Sequence, residues 1–381
     1  MFKRAIEDKI DNYLQREDCK TFYIWGPRRS GKTTLLKQLS QKLGVRVFNF
    51  DFSSDHNLFE PDRDTLKKLT SENKVILIDE VQNYPQATVA LKLLHDEFKV
   101  KVIATGSSEL RQKGEEFDSQ AGRFTESYCL PFSLSEIIAN SDHSAYEEKS
   151  FEKNILERLQ VFGSYPEVYT ADHLLDQDKI EILSNIVQTY VLKDIVDIYG
   201  LKNKKLAEDI LTKIALQLGS EVSIREIAAS LGSNGPTVSN YIEIFIKNYI
   251  LIPLPSFKTN ARKAVSENRK LYFYDLGVRN ALVKDFRETQ FRPDKGGLFE
   301  NFIILEIEKQ RKNTGVQRSL YFYREYGGKE VDLIIEDYYK KYVCVEIKTG
   351  EGKVKDIFPL PHDQELINSK NYFDKIKKMM M

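Results

Sequence analysis

The stretch TFYIWGPRRSGKTT, residues 21–34, constrains this chain more than any other. A short apolar strand runs into a G-x-x-x-x-G-K-[ST] loop, and a helical pattern through Leu35, Leu36 and Leu39 follows. That succession is the layout of a phosphate-binding loop. Gly26 and Gly31 let the backbone curl so that successive N–H groups face phosphate oxygens, with Pro27, Arg28, Arg29 and Ser30 between them. The start of the next helix adds the positive end of its dipole. Lys32 is expected to reach the β- and γ-phosphates and Thr33 to ligate Mg2+, with Thr34 beside it. The expected ligand is ATP and the expected cofactor Mg2+.

VILIDE (75–80) supplies the partner such a loop needs. Asp79, at the C-terminal end of a buried strand, is expected to hold the Mg2+ shell, and Glu80 to activate the attacking water. VKVIATGSS (100–108) is expected to be the next strand. Thr105 or Ser107 at its end can sense the γ-phosphate, although a strand-ending turn accounts for them almost as well. Strands near 21–25, 45–51, 75–79 and 100–105 alternate with helical patterns, after a lead-in helix carrying Phe2, Ile6, Ile10 and Leu14. The fold class is therefore α/β, a parallel sheet with helices on both faces.

Length and composition narrow the rest. A chain of 381 residues is too long for one small core, and two to four domains are expected. Lys+Arg and Asp+Glu are equal at 57 each, so net charge gives no warrant for nucleic-acid binding and any basic surface is local. Cys19, Cys129 and Cys344 are isolated, without metal-ligand spacing, which suits a reducing cytosol. No apolar run approaches a membrane span, and the N-terminus MFKRAIEDKI is charged where a signal peptide is apolar. The expectation is a cytoplasmic protein with no membrane partner.

GPRRSGKTTLL, VILIDEVQ, ATGSSEL, AGRFTESYCLPFSLSEI and GSYPEV, with KLYFYDLGVRNAL and GLFENFIILEI…VDLII…VEIK further on, resemble a family of prokaryotic AAA+-like P-loop ATPases. In that family the ATPase core is followed by a poorly understood C-terminal region. The resemblance implies a P-loop ATPase core at 1–132 and a helical lid at 133–204, which opens on a Ser133/Glu136 capping box. Arg123 in AGRF is a candidate γ-phosphate contact, in cis or in trans within a homo-oligomer; a surface role is the plainer alternative.

SIREIAASLGSNGPTVSNYIEIFIKNYIL (223–251) has a helix-turn-helix rhythm, and the two apolar stretches after it bracket a basic tip, giving a winged helix at 205–284. Thr237, Ser239 and Asn240 at the start of the second helix are candidate groove residues. Lys258, Arg262, Lys263, Arg269 and Lys270 stand against one acid, Glu267, at the tip, which suits contact with DNA phosphates. A protein-interaction module with a solvated tip is the alternative.

The last segment, 285–381, has a helix with Glu300, then a strand with Asp332, then Glu346-Ile-Lys348 on the next strand. This is the order of the restriction-endonuclease-like, PD-(D/E)xK, α/β fold. Residues two apart on a strand share a face, so Glu346 and Lys348 point together and Asp332 can join them. The carboxylates of Glu300, Asp332 and Glu346 are expected to bind one or two Mg2+, and Lys348 to orient a water or steady developing charge. FPLPHDQELINSKNYFDKIKKMMM lacks a clear final strand, which puts cleavage in doubt. Two functions remain open: an ATP-driven nucleic-acid-processing protein, or a nucleotide-controlled signalling or scaffolding switch whose nuclease-like domain has lost its chemistry.

Overall fold

The computed structural model describes residues 2–107, 122–142, 147–171, 173–201, 203–258, 269–325 and 328–379. The chain divides into two compact units, Met1–Pro131 and Phe132–Met381.

The first unit is built on five strands: β1 Thr21–Trp25, β2 Val47–Asn49, β3 Val75–Asp79, β4 Lys101–Gly106 and β5 Phe124–Tyr128. Their spatial order is β2-β3-β4-β1-β5, and every pairing is parallel. Parallel strands are covered on both faces, which is why β1 is buried along its whole length and β3 and β4 are near-continuous apolar runs. The helix Ile6–Gln15 lays Ile6, Ile10 and Tyr13 into a cluster with Phe22, Ile24, Leu35, Leu36, Leu77 and Ile103. β4 sits between β1 and β3. The loop leaving β1 and the acids leaving β3 therefore flank the end of β4 at one edge of the sheet.

In the second unit the helix Leu134–Ala139 begins on Ser133, whose hydroxyl accepts from Glu136 N while the Glu136 carboxylate accepts from Ser133 N, a complete capping box. Helices follow at Glu148–Phe162, Asp176–Asn185, Lys204–Ala215, Ile224–Ser230 and Gly235–Lys247. A hairpin of β6 Leu251–Pro255 and β7 Arg269–Phe273 and the helix Leu276–Val283 complete the run. One apolar cluster joins the later part of this run, from Tyr165 and Leu183 through Ile210, Ile242 and Phe245 to Leu271 and Val278.

Polar groups buried alongside tie the conspicuous motifs to one another. Asp275 caps Val278 N at 3.0 Å and accepts from Ser164 N at 2.6 Å. It sits so close to Gly163 that a Cβ there would fall 2.1 Å from its Oδ1. Asn280 Nδ2 donates to the carbonyls of Gln160 and Val161, both at 2.8 Å. Asn301 bonds both backbone groups of Phe273, at 2.8 and 2.9 Å. GSYPEV, YDLGVRN and GLFENF are thus three sides of one packed joint.

The chain ends in the helix Lys295–Thr314 and a four-stranded mixed sheet of order β11-β10-β9-β8, with β8 Ser319–Arg324, β9 Glu330–Glu336, β10 Tyr342–Lys348 and β11 His362–Asn368. The expectation that the tail lacks a final strand is corrected, because β11 pairs in parallel with β10 from Tyr342↔His362 to Lys348↔Asn368. An edge strand buries little, and only Ile367 in HDQELIN is fully buried, so no apolar run marked it. The helix Tyr372–Met379 follows.

Candidate functional site

The loop after β1 wraps around its own lysine. Lys32 Nζ donates to the carbonyls of Gly26 and Pro27, each at 2.9 Å, and the side chain is buried. Burial pulls its pKa below the ordinary lysine value, and the charges of Glu80, Cys129 and Asp79 oppose the fall. Gly31 takes φ 97° as the cap of the helix Lys32–Leu43, a conformation open to glycine. A Cβ on Gly26 would lie 2.0 Å from the Cys129 carbonyl oxygen. Both motif glycines are therefore demanded by backbone geometry. Ser30 Oγ donates to Pro27 O at 2.8 Å, and Arg4 donates to Ser30 O at 2.8 Å and to Leu130 O at 2.5 Å. Thr33 and Thr34 are exposed on the first helical turn, as is Arg29 in the loop, and Arg28 is half-buried.

The ends of β3 and β4 complete this region. Thr105 Oγ1 donates to Asp79 Oδ1, and Glu80 N donates to the same oxygen at 3.2 Å. Glu80 has φ 53°, a left-handed turn that lifts its side chain out of the strand direction. Gln82, which the sequence reading did not single out, joins the parts. Its Nε2 donates to Glu80 Oε2 at 2.5 Å and its Oε1 accepts from Ser107 N at 3.2 Å. The only sequence signal is a polar residue two places past the acids, buried in the short turn Val81–Asn83.

A second charged cluster lies in the C-terminal sheet. β9 and β10 pair antiparallel as far as Val345↔Leu333. The next step of that register sets Glu346 opposite Asp332, on the face that Lys348 shares. Lys348 Nζ is 2.9 Å from Glu346 Oε1 and 3.6 Å from Asp332 Oδ2, and Lys355 Nζ is 3.7 Å from Glu346 Oε1. Asp332 Oδ2 also accepts from Ile347 N at 2.8 Å. Burial pushes the Asp332 carboxyl up to about 6, with the charges of Glu300 and Glu346 adding to the rise. Glu346 is fully buried, and its Oε2 has no hydrogen-bond donor among the described residues.

Glu300 is committed elsewhere. Its Oε1 accepts from Tyr272 OH at 2.5 Å and from Lys270 Nζ at 3.1 Å, and Lys270 also pairs with Glu330. No group of three or more His, Cys, Asp or Glu able to hold a metal occurs among the described residues. The three carboxylates expected to share a shell are thus held differently, Asp332 and Glu346 by Lys348 and Glu300 by Lys270 and Tyr272. Lys270 is corrected: it is 1% exposed and not part of a solvated tip. Alternation along β7 turns Lys270 and Tyr272 to one face, against the helix that carries Glu300. Burial works against this ammonium, but Glu300 and Glu330 outweigh it and raise its pKa.

The remaining candidates of the second unit are dispersed. Thr237 and Ser239 are half-buried and Asn240 exposed at the start of the helix Gly235–Lys247, where Asn234 caps Thr237 N at 2.9 Å. Lys258 is exposed after β6, whereas Arg262 and Lys263 lie outside the described residues. Arg269, expected at the tip, pairs instead with Glu243 at 2.6 Å.

Comparison with known proteins locates these clusters in families. Residues 18–138 match the model of an AAA domain. The first unit is an AAA+-like P-loop ATPase domain. Residues 153–289 and 295–360 match two domains of unknown function, DUF8612 and DUF4143. The chain is 25% identical over 348 residues to an uncharacterized protein of Haemophilus influenzae, covering 85% of this chain and 82% of that one. It is 22% identical over 386 residues to an uncharacterized protein of Methanocaldococcus jannaschii, covering 92% and 80%. Among solved structures, the Thermotoga maritima RuvB Holliday junction branch migration motor is similar at 17% identity and a TM-score of 0.29, over 66% of this chain and 89% of that one. The S. cerevisiae Hsp104–ADP complex is similar at 12% identity and a TM-score of 0.31, over 81% and 43%. Likenesses of that size carry no structural argument.

Within the ATPase domain, Arg123 stands apart from the loop. It immediately precedes β5, whose first residue is level with Thr21 at the start of β1, whereas the loop leaves the far end of β1. The two are separated by the length of a five-residue strand, about 16 Å. Arg123 Nε binds Asp96 Oδ1 at 2.8 Å and Oδ2 at 3.0 Å, and does not reach the loop within the same chain. No helix among the described residues is long and apolar enough to cross a membrane.

Proposed function

We propose that this chain hydrolyses ATP in its first unit and couples that cycle to nucleic-acid processing in its second. The observation that carries the ATPase reading is the meeting of a buried Lys32, the Thr105–Asp79 bond and the Gln82-held Glu80 around the end of β4. The loop fits a polyphosphate: its ammonium rests on two carbonyls and not on a carboxylate, and its backbone tolerates only glycine at its closest approach. In this reading the loop residues 26–34 bind the phosphates, with Lys32 on the β- and γ-phosphates. Thr33 and Asp79 would hold Mg2+, which when bound neutralises charge developing on the phosphoryl oxygens. Glu80 takes a proton from the attacking water, Gln82 fixes its carboxylate, and Thr105 or Ser107 faces the γ-phosphate. Phosphate release by the purified protein, absent in Lys32→Ala and slowed in Glu80→Gln, tests it; near-normal turnover in Glu80→Gln overturns the assignment of the base.

For the second unit we read 133–204 as the helical lid, 205–284 as a winged helix that contacts DNA, and 285–381 as a restriction-endonuclease-like domain. Asp332 and Glu346 would hold a divalent cation, which when bound supplies charge neutralisation at a phosphodiester. Mg2+ commonly takes one or two carboxylates and completes its shell with water and substrate phosphate, so the pair suffices. The donor-less Glu346 Oε2 supports this fit. Incubation with Mg2+ or Mn2+ and a panel of DNA and RNA structures tests it: cutting lost in Asp332→Ala supports the domain's activity, and cutting that survives belongs to a contaminant. The capture of Glu300 by Lys270 favours the second reading, in which this domain is an uncatalytic platform for a nucleotide-controlled switch.

A further inference from the structure

We propose that a groove of about 640 Å3 in the second unit binds the sugar-phosphate backbone of a nucleic-acid strand. Its walls carry Lys149 and Lys153 from the helix Glu148–Phe162, Lys295 from the start of the helix Lys295–Thr314, and Lys370 from the turn after β11, with Thr349 and Ser369 on the rim. All six are exposed. Two acids, Glu152 and Glu157, also line it, and Lys370 pairs with Glu351 at 3.3 Å, so three ammonium groups remain to face two carboxylates. Glu157 is occupied, accepting from Thr289 N at 2.8 Å and from Thr289 Oγ1 at 2.5 Å. Among the described residues no ion pair joins Lys149, Lys153 or Lys295 to a carboxylate. In a chain whose charges cancel overall, such a local excess of positive charge is the footprint of an anionic ligand.

Three features choose a strand over an isolated phosphate. Lys149 and Lys153 are one helical turn apart on one face, about 6 Å along the axis, so they form a row and not a point. Lys295 and Lys370 line the same groove from two other elements. Leu156 and the buried ring of Phe299 give the groove an apolar floor beneath the charges, suited to sugar and base surface. Thr349 stands three residues along the chain from Glu346, about 10 Å in an extended strand, and Ser369 Oγ holds it by donating to Thr349 O at 2.7 Å. The rim of the groove therefore lies just past the end of the strand that carries Glu346. The inference rests on the reading that nucleic acid is the substrate, but it concerns binding alone and stands whether or not a bond is cut.

The test uses the full chain and end-labelled single-stranded and duplex oligonucleotides, titrated over a range of salt without divalent cation. Combined Lys149→Glu, Lys153→Glu and Lys295→Glu is expected to weaken single-strand binding at least ~10-fold and to flatten the plot of log K against log salt by about 2, roughly 0.7 for each lysine. ATP turnover is expected to be unchanged, which reports that the chain remains folded. The Ala triple variant, free of introduced repulsion, is expected to give the same loss of slope. Wild-type affinity and slope in both variants would overturn the proposal. Binding of tripolyphosphate in a Lys32→Ala background, with no binding of either oligonucleotide, would also overturn it and give the groove to a small polyphosphate. Failure of the ATPase or cleavage reading appears instead as lost turnover or cutting with oligonucleotide binding intact.

Discussion

The loop after β1 and the charged end of β9 and β10 both gather ammonium groups and carboxylates, and they satisfy them in opposite ways. Around the loop, Lys32 is bonded to carbonyl oxygens, Asp79 to a hydroxyl, and Glu80 to an amide. Neutral partners leave the charges themselves uncancelled for an incoming ligand. Around the C-terminal sheet, Lys270 of the β6–β7 hairpin is clasped by Glu300 and Glu330, Arg324 by Glu330 and Glu221, and Lys348 lies on Glu346. There charge is largely consumed in holding β7, β8, β9 and the helix Lys295–Thr314 together. The exception is Glu346, whose Oε2 lacks a donor among the described residues. A ligand-binding centre keeps net charge available, whereas a structural one neutralises it internally.

Substitutions can break that distinction. The largest effect is expected from Lys32→Ala, which should remove nucleotide binding in an equilibrium titration with labelled ATP yet leave the nucleotide-free unfolding midpoint nearly unchanged. If it unfolds the protein, the two lysines are of one kind. Lys270→Ala should do the reverse. Two half-buried carboxylates lose their shared, fully buried cation, though Glu330 keeps Arg324, and urea unfolding of the second unit should fall by about 3 kcal/mol, the lower end of the scale for breaking a buried pair. Stability equal to wild type would show that this cluster, too, is poised for a ligand.

Glu80→Gln should keep ATP affinity and slow turnover at least ~10²-fold, the scale of a lost general base. Gln82→Ala should lower kcat by roughly 10-fold with KM little changed, since one hydrogen bond to a charged group is worth about 1.5 kcal/mol or somewhat more. Equal loss in kcat and in nucleotide-free stability would make Gln82 a packing residue and not a positioning one.

The smallest effect belongs to the exposed pair Arg123–Asp96. The hydrogen bond from Arg123, then that from His95, holds Asp96 down at about 2. A folded pKa below the unfolded value gives stability that is present above 3.8 and is lost only as pH falls through about 2. With both side chains about a third exposed, solvent screening keeps the pair below ~1 kcal/mol. Asp96→Asn should therefore cost the same small amount at neutral pH and in mild acid. Arg123→Ala should leave the turnover of a monomeric preparation unchanged, and a large loss that appears only on self-assembly would restore the role in trans.

The parts legible in the sequence are those whose determinants are neighbours along the chain. A strand, a glycine-framed loop and a helix stand within residues 21–43, so TFYIWGPRRSGKTT specifies its own local geometry. VILIDE ends β3 at Asp79 because an apolar run meets its first charge there. The shared face of Glu346 and Lys348 follows from strand alternation alone. The edge strand β11 was hidden because pairing to β10, and not burial, defines it.

What tertiary structure decided is the fate of charges whose partners are distant in sequence. Lys270 looked like one more cation beside Arg269 at a basic tip, yet its carboxylates come 30 and 60 residues later. Glu300 looked like a metal ligand until Lys270 and Tyr272 claimed it. Gln82 gained significance only when β4 brought Ser107 beside it. The sequence by itself determined a P-loop parallel-sheet core and the glycine-framed loop that leaves its first strand, because backbone conformation and side-chain alternation are local. Only the fold decided which carboxylates are neutralised and which keep their charge, because that depends on burial and on which ammonium groups the packing brings within a few ångströms.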